Sequence, residues 1–381
     1  MFIKERIINP INELAENGKL TGIILICTTI FSLSLSNSEF NIAYLKLWET
    51  EIGFSFLHKS ILHWINDGLM AVFFLLVGLE IKRELISGEL STRKQAILPA
   101  AAALGGIMVP AAIYVLLNLN KPENLVGWAI PTATDIAFSL GILSLLGQRV
   151  PFALKVFLMA LAIIDDLGAI LIIATFYTQG VDFQMLILGI GVFVLLLILN
   201  YLNVKISYFY LIPGFFLWYF ILKGGIHPTI AGVLLALSIP AESGEKLEHS
   251  LQKPVSYLIL PLFALANTAM PLSMGHLAEL FSTLSLGIIL GLVIGKPFGI
   301  ILTSWIVVKL KWADLPEGIN WKQIAGLGSV AGIGFTMSIF ISALSFTEGN
   351  TLMISKLAIL AGSIISAIVG MMVLTKFMKK S

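Results

Sequence analysis

The chain is short of charge and of cysteine. Only 12% of its 381 residues are Asp, Glu, Lys or Arg, about half the share found in soluble domains. With 57% hydrophobic residues and a mean hydropathy of +0.95, a soluble fold would lack the polar side chains to cover its surface. A bilayer supplies the solvent that such a composition requires. Cys27 is the single cysteine, so an internal disulfide and a cysteine-based metal cluster are both excluded. The net charge is only +2 and the basic residues are scattered among short loops, which leaves no basic stripe for nucleic acid. The N-terminus also lacks an apolar signal-peptide core, because Lys4, Glu5, Arg6, Glu13, Glu16 and Lys19 interrupt it. Residues 3–18 are expected to form an interfacial amphipathic helix leading into the first span.

What is abundant is apolar runs. Twelve candidate spans fall at about 19–36, 61–85, 96–118, 124–146, 151–176, 184–202, 206–221, 225–239, 253–270, 285–309, 323–346 and 352–375. Pro213, Gly224 and Gly225 argue for two shorter helices between 206 and 239. If both termini are cytoplasmic, eighteen Lys and Arg residues lie on that side and five on the other. That bias is what a correctly oriented inner-membrane protein shows. Residues 37–58 lie outside and contain β-prone stretches at Ala43–Trp48 and Ile52–Phe56, so a hairpin with an exposed edge is expected. Such an edge could pair with a second copy of the chain, giving a homodimer.

Two spans carry helix-breaking chemistry. VGWAIPTATDIAFSL places Pro131, Thr132, Thr134 and Asp135 near mid-membrane, and IAGLGSVAGIGFTMSIF places four glycines within nine residues before Thr336. Each is the middle member of a three-span group, 96–176 and 285–375, and the loop charges orient the groups oppositely. Paired breaks in inverted repeats point to the central site of a secondary transporter. The expected fold is therefore an all-α membrane protein, one polytopic domain of about twelve helices, with two discontinuous helices crossing at mid-membrane.

Four ionisable residues sit at the same depth: Asp135, Asp165 and Asp166 of AIIDDLGAI, and Lys296 of IGKPFG. Each costs roughly 2.5–3.5 kcal/mol at a helix centre, so all should face a polar interior and one another. Neighbouring aspartates differ in direction by about 100° on a helix, which suggests two linked tasks. One can ligate a cation while the other pairs with an ammonium. Carboxylate oxygens suit a hard cation such as sodium, and close like charges make a carboxylate a proton carrier as well. A site that holds either a cation or protons exchanges them by competition. For Asp165 with Lys296 a structural ion pair is the alternative, and one pair can serve both purposes.

GLEIKREL puts Glu80, Arg83 and Glu84 on one helical face, and LEHSLQKP adds Glu248 and His249 before another span. These read either as a solvated helix end or as a cytoplasmic funnel and proton sensor. His227 in GIHPTIAGV is a helix-end histidine by default, and Asp67 in INDGLMAVFF receives no role.

Together GLEIKREL, PTATDIAF, FALKVFLMALAIIDDLGAI, GIHPTIAGV, LEHSLQKPVSYLILPLFALAN, IGKPFGI and GIGFTMSIF resemble the NhaA family of bacterial sodium/proton antiporters. The resemblance runs through essentially the whole chain. It implies that Asp165 and Asp166 bind Na+ or Li+ and carry protons, that Lys296 pairs with Asp165 in the cation-free state, and that Thr134 and Asp135 complete the crossing. It links Glu80, Arg83, Glu84, Glu248 and His227 to pH response, and makes transport electrogenic, with more protons entering than sodium ions leaving. No cofactor is expected, and the location is the bacterial inner membrane. Residues 240–254 carry fewer histidines than a strongly pH-gated member would. A sodium symporter for an organic anion would not need the second aspartate. An intramembrane aspartyl protease would show a GxGD sequence, and a passive channel would not concentrate charge at one depth.

Overall fold

In the computed structural model, residues 9–54, 57–178, 180–347 and 349–378 are described. The expected interfacial helix over 3–18 is thus described only from Asn9, where it is the start of α1 (Asn9–Ser36). Residues 3–8 of that expectation lie outside the described residues, as do Lys4, Arg6, Lys379 and Lys380 of the charge census.

The chain forms two compact units. The first comprises Ser87–Ala169 and Leu272–Ser381 with the start of the chain to Cys27. It contains α4 (Arg93–Asn118), a bent pair made of Pro122–Thr132 and α5 (Ile136–Leu145), and most of α6 (Phe152–Phe176). A second series of the same order follows: α12 (Thr283–Lys309), a bent pair α13 (Trp321–Ala331) and α14 (Phe335–Ser345), and α15 (Asn350–Phe377). The two bends are 46° and 47°. Pro131 causes the first by removing a backbone donor. Gly332 and Gly334 sit at the second, where a Cβ on Gly332 would stand 2.3 Å from the Leu292 carbonyl oxygen. Start signals are local: Asn320 accepts from the N–H groups of Lys322 and Gln323 while Gln323 returns a bond to Asn320, which fixes where α13 begins.

The second unit comprises Thr28–Ile86 and Ile170–Pro271. It contains α3 (Ile61–Ser87) nearly whole, α7 (Phe183–Tyr201), α8 (Tyr208–Lys223), α9 (Ile230–Ser238), α10 (Ala241–Pro254) and α11 (Leu260–Asn267). Its core joins Leu75, Leu79, Leu196, Tyr210, Leu217 and Leu235. α3 and α9 approach closely because Gly78 faces Ala236 and Gly232 faces the Ala71 carbonyl. Lys82 Nζ donates to the carbonyls of Leu237 and Ile239, compensating the C-terminal end of α9.

Among the described residues, seven helices are long and apolar enough to cross a membrane, nine if each bent pair is one span. The remaining three expected spans are helical but shorter. α8 has 16 residues and α9 has nine, and α11 continues a helix whose first half is polar. Nine residues rise about 14 Å, half of a hydrocarbon core. α9 starts at Ile230 rather than near 225 because Gly225, at φ +80°, and Pro228 hold the chain out of helix.

The expected strand at Ala43–Trp48 is instead α2 (Asn41–Glu49). Tyr44 and Trp48, four residues apart, pack edge to face with centroids 5.6 Å apart, and Trp48 is buried. Helical periodicity outweighs the β-propensity of the stretch. A hairpin does exist, shifted along the chain: β1 (Glu51–Phe54) pairs antiparallel with β2 (Leu57–Ser60), Glu51 opposite Ser60. Ser55 and Phe56 lie outside the described residues.

Three stretches widen to π geometry: Trp64–Leu69, Val255–Ile259 and Gly291–Gly295. The last two are explained by proline. Pro261 and Pro297 offer no N–H to the carbonyl one turn back and their rings push it aside, so the helix loosens there.

Candidate ion-binding site

The site grows out of the two bends in the first unit. Where each bent pair breaks, two helix N-termini and two chain ends with exposed carbonyls meet in the interior. Backbone groups there need partners, since a buried one left alone costs on the order of a lost hydrogen bond or more.

One carboxylate serves both N-termini. Asp135 Oδ1 accepts from the Phe138 N–H of α5 at 2.9 Å. Its Oδ2 accepts from the N–H of Thr336 at 3.0 Å and from the Thr336 hydroxyl at 2.5 Å, at the start of α14. The Asp135 N–H in turn donates to Ile333 O at 2.7 Å. Asp135 is 2% exposed, and its negative charge faces two partial positive ends. The carbonyl ends are met from the other side. Ser139 donates to Val330 O and Ser338 to Ile130 O, so each half supplies a hydroxyl to the other.

Lys296 closes the arrangement. It follows the loosened Gly291–Gly295 stretch of α12, where α12 and α4 come together through Gly105 and Gly299. A Cβ on Gly105 would stand 2.2 Å from Gly299 O, and one on Gly299 would stand 2.1 Å from Gly105 O, so neither position admits a side chain. The neighbouring Gly106 leaves room for the Lys296 stem, whose Cε would lie 3.4 Å from a Cβ there. The ammonium donates to the Thr132 carbonyl and, at 2.5 Å, to Asp165 Oδ2. It thus compensates both a carbonyl end and a carboxylate.

Thr134 Oγ1 lies 2.7 Å from Asp165 Oδ2 and 2.9 Å from Ala331 O. A hydroxyl has one proton, so it donates to one of these at a time. Asp165 Oδ1 is buried and receives no hydrogen bond from the described residues. Asp165 and Asp166 are each 1% exposed, while Thr134 and Lys296 are fully buried. Desolvated charge of this kind is tolerated only in pairs. The structure therefore joins Thr134, Asp165 and Lys296 in one network, with Asp135 and Asp166 next to its members in the chain. Sequence reading alone missed Ser139, Ser338 and the carbonyls of Thr132 and Ala331. The serines carry no distinguishing spacing, and backbone groups leave no trace in a sequence.

The charges expected at the end of α3 also gather, in the second unit. Arg83 Nε donates to both oxygens of Glu248 at 3.0 and 3.2 Å, and its Nη1 lies 2.6 Å from Glu84 Oε1. Glu80, one turn before Glu84, is 9% exposed and feels the charges of Glu248, Arg83 and Glu84. Three buried carboxylates share one guanidinium. Burial pushes the Glu248 carboxyl above the usual carboxylate range, against the lowering effect of Arg83.

His227 does not join that cluster. Its Nδ1 lies 2.8 Å from Thr229 Oγ1 and its Nε2 lies 3.7 Å from Asp67 Oδ1. Asp67 is thirteen residues before Glu80 on α3, about 20 Å along the helix. The sequence reading gave Asp67 no role at the outer end of its span, and its partner is 160 residues away.

The profile of the family described as Na+/H+ antiporter 1 matches residues 12–374. The Na(+)/H(+) antiporter NhaA 2 of Flavobacterium johnsoniae is 51% identical over 368 residues, covering 94% of this chain and 90% of the relative. The Na(+)/H(+) antiporter NhaA of Flavobacterium psychrophilum is 49% identical, covering 94% of each. NhaA 1 of Clostridium beijerinckii is 47% identical over 382 residues, covering 97% of this chain and 95% of the relative.

Proposed function

The chain belongs to the Na+/H+ antiporter 1 family, and on that premise we propose that it exports Na+ or Li+ in exchange for inward protons by competition at Asp165 and Asp166. The observation that carries this reading is the shared oxygen of Asp165, held at once by the Lys296 ammonium and the Thr134 hydroxyl.

In the cation-free state Lys296 neutralises Asp165. A sodium ion arriving at the two aspartates would take oxygen ligands from Asp165 and Asp166 and displace the ammonium. Thr134, released from Asp165, would then direct its hydrogen bond to the Ala331 carbonyl. Reprotonation would restore the pair and expel the cation. Because two carboxylates and a lysine share the protons while one cation carries a single charge, more protons enter per cycle than sodium ions leave. Asp135 takes no part in the exchange: it keeps both half-helix starts compensated while their neighbours change charge. The membrane is the bacterial inner membrane with both termini cytoplasmic, as the loop charges favour. Chains associate in pairs through the segment 37–58 and the adjoining hairpin, whose strand edge is open to a second copy.

Glu80, Arg83, Glu84 and Glu248 respond to pH as one group, since three acids around one guanidinium cannot all remain ionised without cost. His227 acts separately through Asp67.

Everted vesicles from an antiporter-deficient bacterium test the reading. Adding sodium should collapse an imposed pH gradient with the native chain and leave it intact with Asp166→Asn. A correctly inserted native chain that gives no response at any pH would refute it. Deleting residues 37–58 should lower the oligomer mass in mild detergent; an unchanged mass would remove the pairing.

A further inference from the structure

A groove of about 560 Å³ opens in the second unit along α3, against α8 and α9, and nothing in the ion exchange uses it. Trp64, Gly68, Val72, Leu211, Phe215 and Trp218 line it. The indoles of Trp64 and Trp218 stack with centroids 6.1 Å apart, and Phe215 lies 5.7 Å from Trp218. Both indole N–H groups are already committed, Trp64 to Ile52 O at 3.0 Å and Trp218 to Asp67 O at 2.8 Å. Neither indole can donate to a polar occupant, and the other lining side chains are apolar, so the body of any ligand must be apolar.

The groove is also long. From Ile61 to Leu75 its wall follows fifteen residues of α3, about 21 Å and more than half the thickness of a hydrocarbon core. Ile52 and Phe215 stand at its rim, 47% and 53% exposed. The wall is open at Gly68, where a Cβ would meet nothing nearer than the Trp64 ring at 3.4 Å. Gly68 sits in the π stretch Trp64–Leu69, which widens without a proline.

A shallow cleft shares Trp64 and Trp218 with the groove and adds Lys59, His63 and Asp67. Lys59 and Asp67 both border it, with the lysine's charge acting on the carboxylate, and Asp67 also faces His227 at 3.7 Å. A purely anionic headgroup would face Asp67, and a choline headgroup has no N–H to offer it. An ethanolamine headgroup brings a phosphate for Lys59 and an ammonium for Asp67.

We propose that this groove seats one acyl chain of a phosphatidylethanolamine molecule, with the headgroup across Lys59 and Asp67. The site takes no part in the exchange at Asp165 and Asp166, though it shares Asp67 with His227, and its test reads binding rather than transport.

The delipidated full chain in mild detergent is titrated with phosphatidylethanolamine, phosphatidylglycerol and phosphatidylcholine of identical chains, and bound lipid is counted by native mass spectrometry. The ethanolamine lipid should bind one per chain and about tenfold tighter than the other two. Gly68→Phe should fill the groove and abolish that binding, and Lys59→Ala should bring it down to the choline level. Equal affinity for the three headgroups overturns the proposal, as does binding that survives both substitutions. A groove covered instead by a second copy would show dimer mass lost in Gly68→Phe with no lipid preference, which also overturns it. If Gly68→Phe fails to fold, Lys59→Ala, exposed on β2, decides alone.

Discussion

The crossing in the first unit and the acidic cluster in the second are both buried and both built on charge, yet they are balanced differently. At the crossing Asp135, Asp165 and Lys296 each meet an opposing charge or partial charge, and many partners are backbone. Asp135 meets two helix starts, and Lys296 meets a carbonyl end and Asp165. In the cluster Glu84 and Glu248 both pair with Arg83, and Glu80 feels the charges of all three. The first can change charge only if something of equal charge replaces what leaves, which is the requirement for exchange. The second is in excess of negative charge and is relieved simply by taking up a proton. Balance suits a binding site, and imbalance suits a sensor.

Substitutions can break that contrast. The largest effect is expected for Asp166→Asn, which should abolish sodium-dependent proton movement in vesicles while leaving the fold intact. Next, Lys296→Ala strands a buried carboxylate and the Thr132 carbonyl, and should lower stability by about 3–5 kcal/mol, read as thermal unfolding in detergent. Asp135→Ala removes the cap of two helices at once and should cost about 2 kcal/mol, with sodium affinity less affected than in Asp166→Asn. A cost no larger than that of one ordinary cap would mean the two starts are not coupled.

Glu248→Gln should act differently, on the pH profile. The folded chain holds the Glu248 proton more tightly than a free carboxyl does. Its contribution to stability is therefore complete below the ordinary carboxylate range and is lost as pH rises through the raised folded value. Glutamine keeps an acceptor for Arg83 but cannot ionise, so the variant should lose less stability than the native chain between mildly acidic and mildly alkaline buffer. Identical slopes would contradict the sensor reading. The smallest effect belongs to the exposed Lys205–Glu242 pair at 2.7 Å, where Lys205→Ala should change neither stability nor transport measurably.

Much of the fold was legible because membrane helices announce themselves by length and apolarity. Pro131 and the glycines at 332 and 334 marked both bends, and the cost of buried charge brought Asp135, Asp165 and Lys296 to attention. The hairpin was read with its first strand in the wrong place, since β-propensity at Ala43–Trp48 hid a Tyr44–Trp48 pair that only a helix brings together. That Asp135 balances half-helix partial charges follows from the breaks, but its second partner was not legible. It depends on Thr336 reaching the same carboxylate from 201 residues away, a proximity set by two bends crossing. Nor was the work of Lys82 on the Leu237 carbonyl legible, since it depends on how short α9 is.

Competition between cation and proton is the central claim, and calorimetry of sodium binding to the purified chain tests it most directly. Repeating the titration in buffers of different ionisation enthalpy counts the protons released. The account predicts proton release on binding, an apparent affinity that falls about tenfold per pH unit for each competing proton as pH drops through the site's titration range, and loss of both in Asp165→Asn and Asp166→Asn. Sodium binding that releases no protons and keeps its affinity across the pH range would contradict it.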